Sequence, residues 1–143
     1  MQKLYSATGY FIIGYTIITA IITSLYFLPG PLRASLGSVL AAIIFVDMCY
    51  RYFKKCLPVG ETAKLKSVIY VMSYWAVLSI SLDILIMVII LPIIANGSIS
   101  WIFFSQQPTI YWFQFPMFFI FGLVAQAIYN RVIVITTSTV DHI

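Results

Sequence analysis

Charge is what this sequence has least of. It carries eight basic and four acidic side chains in 143 residues, 8% of the chain, where soluble globular domains carry about a quarter. With 62% hydrophobic residues and a mean hydropathy of +1.04, it cannot cover a core with a hydrated surface, so a soluble catalytic domain is excluded. Histidine occurs once, as His142 near the end of the sequence. That excludes a paired-histidine acid–base site and a multi-histidine metal or haem site. There are two cysteines, Cys49 and Cys56, with neither CxxC nor zinc spacing. There is no glycine-rich phosphate loop. No cofactor or catalytic residue is expected, and the protein reads as a non-enzyme.

What the chain has instead is long apolar runs. They predict an all-α integral membrane protein, four transmembrane helices in an antiparallel up-down bundle forming one domain. The spans are expected at about Thr8–Leu28, Leu36–Phe53, Ser67–Ile94 and Ile110–Ile135. Only Lys3 precedes the first span, with no small-residue cleavage site before Pro29, so a retained span is expected rather than a removed signal peptide. Pro29-Gly30-Pro31 closes it. Thr16, Thr19 and Thr23 share one face, which reads as a packing surface or, alternatively, as the lining of a polar pathway.

Within the second span Ala34, Gly37, Ser38, Ala41 and Ala42 form overlapping pairs of small residues, a close-packing face. Asp47 and Arg51 stand four residues apart, acid before base, and are expected to pair at the interface. The connection from Lys54 to Lys66 is the longest polar one, with Thr62 as a candidate cap. The segment from Ala95 to Pro108 has no charge and reads as a turn followed by aromatics at the far interface. Its Asn96-Gly97-Ser98 fits a glycosylation pattern by chance only. The remaining aromatics are assigned to lipid-facing surface and interfacial belts.

Five of the basic residues, Arg51, Lys54, Lys55, Lys64 and Lys66, fall together, and with Lys3 and Arg131 they outnumber Arg33 seven to one across the expected membrane. Basic residues stay on the cytoplasmic side. The expected location is therefore a plasma membrane of the bacterial inner type, with both termini and the basic loop cytoplasmic. The clustering is a topology signal and not one for nucleic acid, although such a loop can also hold anionic lipid headgroups or a cytoplasmic partner.

One acidic residue stands out. Asp83 lies inside the apolar run from Ser67 to Ile94, on the same helical face as Ser79 and Trp75. A carboxylate at membrane depth needs a partner. Asp83 is seventeen residues beyond Lys66, about 25 Å along an upright helix. Comparable counts reach Gln114 on the fourth span and Arg33 ahead of the second, which are the candidate partners. A pair with Arg33 makes a structural latch. A site built from Ser79 and Gln114, with or without a tyrosine, makes a carboxyl that can carry a proton or a cation. Asp47 and Asp83 sit near opposite ends of their spans, too far apart for a catalytic dyad. Two functions follow: a subunit or an accessory or immunity-type partner of another membrane protein, or a small oligomeric transporter or channel coupled through Asp83. Besides the lipid bilayer, the expected partner is a membrane protein or further copies of the chain.

Overall fold

A computed structural model describes residues 2–58, 60–105 and 112–140, with backbone alone for Gln2, Tyr26, Ala34, Asn96, Phe103, Gln114 and residues 136–140. All its regular elements are helical. Helix α1 (Gln2–Ser24) ends in a 3-10 turn (Leu25–Phe27), and α2 (Gly30–Cys56) starts at once, with Pro29 as its cap. Pro31 falls in the first turn, where its missing N–H costs no hydrogen bond. The basic side chains expected in a loop are partly helical: Lys54 and Lys55 occupy the last turn of α2, favoured by the helix dipole, and Lys66 lies in α3 (Leu65–Ile84). Lys64, not Thr62, takes the cap position of α3.

Helix α3 continues through a π-helical stretch (Leu85–Ile90) into α4 (Leu91–Asn96). Pro92 accounts for the irregularity. A proline cannot donate to the carbonyl one turn before it, and here the Val88 carbonyl accepts the Ser100 N–H instead, at 3.1 Å. Gly97, at φ 72°, then ends α4 in the left-handed conformation that suits glycine. The short helix α5 (Ile102–Ser105) follows, and α6 (Gln114–Val140) is the last described element. Trp101, Phe104, Trp112 and Phe115 form a chain of ring contacts, 5.7–6.0 Å between successive centroids, around the α5–α6 connection.

Four helices are long and apolar enough to cross a membrane, at Lys3–Ser24, Gly30–Cys56, Leu65–Ala95 and Phe115–Ile135. Only 17–22% of the most apolar window in each is buried inside the chain. The remainder is a nearly continuous outer surface of Ile, Leu, Val and Phe, of a kind soluble monomers do not expose. Helix α2 packs against α1 and α6, and α6 also packs against α3.

At the centre each long helix contributes one buried ring. Phe45 meets Phe118 edge to face at 4.8 Å, and Phe11, Phe45 and Trp75 lie 6.0–6.3 Å from one another. Aromatics expected on the lipid-facing side thus supply the middle of the core. The edge-to-face Phe45–Phe118 pair and the tilted pairs with Trp75 let the quadrupoles attract, adding about 0.5–1.5 kcal/mol per pair beyond the area buried.

Candidate functional site: the polar seam between helices α1 and α3

The periodicity that puts Trp75, Ser79 and Asp83 on one face also buries them. Trp75 is fully covered, Ser79 is 2% exposed and Asp83 6%. All three sit where α3 meets α1. The Tyr15 hydroxyl donates to Asp83 Oδ1 at 2.7 Å. The Trp75 indole N–H donates to the Ala7 carbonyl at 3.0 Å, and the Thr8 and Tyr74 hydroxyls lie 2.7 Å apart. Phe11 fills the space between these bonds, its ring 5.7 Å from Tyr15 and 6.0 Å from Trp75.

A charged acceptor shortens and strengthens a hydrogen bond, and a phenol is long enough to reach it while its ring stays among apolar neighbours. The α3 side of the seam is buried at Trp75, Ser79 and Asp83, while the Thr8–Tyr74 and Tyr15–Asp83 bonds are part-buried. Tyr15 is the residue that the depth count did not name. Of the two it did name, Arg33 is half-buried in the first turn of α2, and the side chain of Gln114 lies outside the described residues.

The threonine stripe of α1 resolves differently. Thr16, Thr19 and Thr23 are exposed on the outer surface, away from the seam. Thr23 donates back to the Thr19 carbonyl and Ser24 to that of Ala20, both at 2.8 Å. The Thr23 and Ser24 hydroxyls are thus satisfied by their own helix.

A second polar cluster ties the connection just before α3 to α6. Asn130 accepts the Ala63 N–H at 2.7 Å and returns an N–H to the Ala63 carbonyl at 3.1 Å, while Gln126 donates to the same carbonyl at 2.6 Å. One turn further along, Gly122 lets α6 approach α3. A Cβ at that position would come within 2.5 Å of Met72 Cγ and 2.9 Å of Val68 Cγ1. Gly122, Gln126 and Asn130 share this face through their four-residue spacing.

The small residues of α2 divide between two neighbours. Gly37 is buried, and a Cβ there would lie 3.5 Å from Ile22 of α1. Ala42 lines a shallow groove against α6, Ala41 is half-buried and Ser38 is exposed. Helix α1 has its own close approach, where a Cβ on Gly14 would stand 3.2 Å from Met48 Cγ. Arg51 binds Asp47 at 2.7 Å, with both side chains substantially exposed, so the pair sits at the surface and apart from Asp83.

Among the described residues no three His, Cys, Asp or Glu side chains gather where they could hold a metal ion. Cys49 is buried beside the aromatic core and Cys56 half-buried, both as free thiols. No protein-family model, curated protein or solved structure matches the chain.

Proposed function

We propose that the chain is a non-enzymatic, four-span membrane protein that works as a subunit or an accessory or immunity-type partner of another membrane protein. The observation that carries this reading is the state of Asp83, buried in the seam and engaged by Tyr15. Neither the groove between α2 and α6 nor the groove at the lysine-rich end is lined by Asp83, Ser79 or Tyr15. A transport carboxylate must meet water from one side or the other, whereas a latch between helices must not.

Placement in a bilayer, with both termini and the lysine-rich end on the cytoplasmic side, draws on the apolar outer surface and on the asymmetry of basic residues. Two seam bonds, Ala7 to Trp75 and Tyr15 to Asp83, span the same sequence interval of 68 residues. That constant offset fits the first and third members of an up-and-down series, which run in the same direction. With so little polar surface among the described residues, the outer apolar faces are left to meet another protein.

Purification under mild detergent from its native membrane tests the proposal. A companion membrane protein in fixed stoichiometry is the expected result. Recovery of the chain alone as a homo-oligomer, with proton or cation flux in vesicles that Asp83→Asn abolishes without altering folding, would overturn it in favour of the small oligomeric transporter.

A further inference from the structure

At the lysine-rich end a groove of about 310 Å³ opens between the start of α1, the last turn of α2 and the first turns of α3. Lys3, Lys64 and Lys66 stand on its rim, exposed, with Ser67 and the Tyr52 and Tyr70 rings lining its sides. Its floor is apolar, made by Phe53 and Val71.

Three like charges around one concavity repel one another, and among the described residues no carboxylate lies within ion-pairing distance of any of them. The start of α3 adds to the positive field. It has no side-chain cap and no acid in its first turn, so no side chain there offsets the helix dipole. A cationic rim above an apolar floor suits a ligand with an anionic head and a hydrocarbon tail.

We propose that this groove binds the phosphate headgroup of an anionic phospholipid from the adjoining leaflet, the three lysines on the phosphate and an acyl chain along Phe53 and Val71. The assignment rests on the membrane placement proposed above and is independent of the partner role. It differs from diffuse attraction to a basic loop in one testable way. Lys54 and Lys55 carry the same charge at the same end of the molecule, yet neither lines the groove, and Lys55 instead lies over the Tyr10 ring at 5.8 Å.

The experiment uses the full chain reconstituted in phosphatidylcholine with a minor share of phosphatidylglycerol, with the retained lipids counted by native mass spectrometry. A lysine in direct contact with the phosphate contributes a charge-assisted hydrogen bond, about tenfold in binding. Lys64→Gln with Lys66→Gln should therefore lower the preference for phosphatidylglycerol by about 100-fold, from two such contacts. Lys54→Gln with Lys55→Gln removes the same charge and should lower it by less than about threefold, through screened long-range attraction. Ser67→Trp, which fills the groove with every charge in place, should abolish the preference.

Equal losses from the two lysine pairs, or a preference that survives Ser67→Trp, would overturn the site. Displacement of the lipid by excess inorganic phosphate would also overturn it, by identifying a free-anion site instead. Failure of the wild-type chain to insert at all would remove the membrane placement, whereas insertion with no anionic preference removes the groove alone.

Discussion

Helix α3 is held on its two sides by different physics. Toward α1 it is tied by side-chain hydrogen bonds, Tyr15 to Asp83, Trp75 to Ala7 and the Thr8–Tyr74 pair, with Phe11 as the packing between them. Toward α6 it relies on a glycine, Gly122, against which Met72 and Val68 are pressed. In lipid, apolar side chains gain nothing by leaving one hydrocarbon for another, so helices associate through close packing and through polar bonds that have no water to replace them. The two sides of α3 use one device each. Polar bonds reach across a wider gap, and glycine removes the gap.

The glycine side should break most sharply. Gly122→Val places a branched side chain where one methyl group already collides, and overpacking of this kind costs about 1–3 kcal/mol, with valine near the top of that range. Denaturant unfolding in micelles should register it as a lowered midpoint at constant slope. Met72→Ala in the same chain should recover part of the loss, because it vacates the colliding atoms. No recovery would mean that α6 and α3 do not meet at this glycine.

The polar side should yield less, and selectively. Tyr15→Phe removes the hydroxyl that donates to Asp83, and the loss of a donor to a buried acceptor costs about 1–3 kcal/mol. Asp83→Asn keeps an acceptor oxygen for Tyr15 and should cost less than Asp83→Ala, by about 1 kcal/mol, the net worth of a typical intramolecular hydrogen bond. Unfolding measurements on the three variants check the ranking. If Asp83→Asn proves as damaging as Asp83→Ala, the Tyr15 bond is not what the carboxylate contributes.

These expectations also mark what a sequence can disclose. Apolar length placed the four helices within a turn or two, and four-residue spacing put Trp75, Ser79 and Asp83 on one face. The same spacing joined Gly122, Gln126 and Asn130. Periodicity describes one helix at a time, however, and the donor to Asp83 comes from another. Depth counts along the second and fourth spans never reach Tyr15 on the first, and the ends of the first and third are not level. The offset of 68 residues between bonded partners sets Lys3 beside Val71 rather than Lys66, and both Lys3 and Val71 line the same groove. That five-residue slip is about 7.5 Å of helix rise. Ala63 was illegible for a different reason: what α6 holds there is backbone, which every residue shares.

That clamp gives a smaller effect. Asn130→Ala removes two hydrogen bonds to Ala63 and Gln126→Ala one, at about 1 kcal/mol for each bond lost. Hydrogen exchange separates them, since Asn130 alone accepts the Ala63 N–H. That amide should exchange faster in Asn130→Ala and nearly unchanged in Gln126→Ala.

The smallest effect is expected at the other end of the same helical rod, where the two devices of α3 give way to a third. Pro92 deprives the Val88 carbonyl of its helical donor, and the Ser100 N–H takes that place, folding the turn after α4 back against the rod. Pro92→Ala restores an N–H that can compete for Val88. One hydrogen bond is exchanged for another, so stability should move by less than about 1 kcal/mol, the net worth of a single bond. The Ser100 amide should nevertheless lose protection from exchange, because its acceptor is now shared. A Ser100 amide that stays as protected as before would show that the turn is held by the aromatic contacts of Trp101 and Phe104 and not by the carbonyl that proline set free.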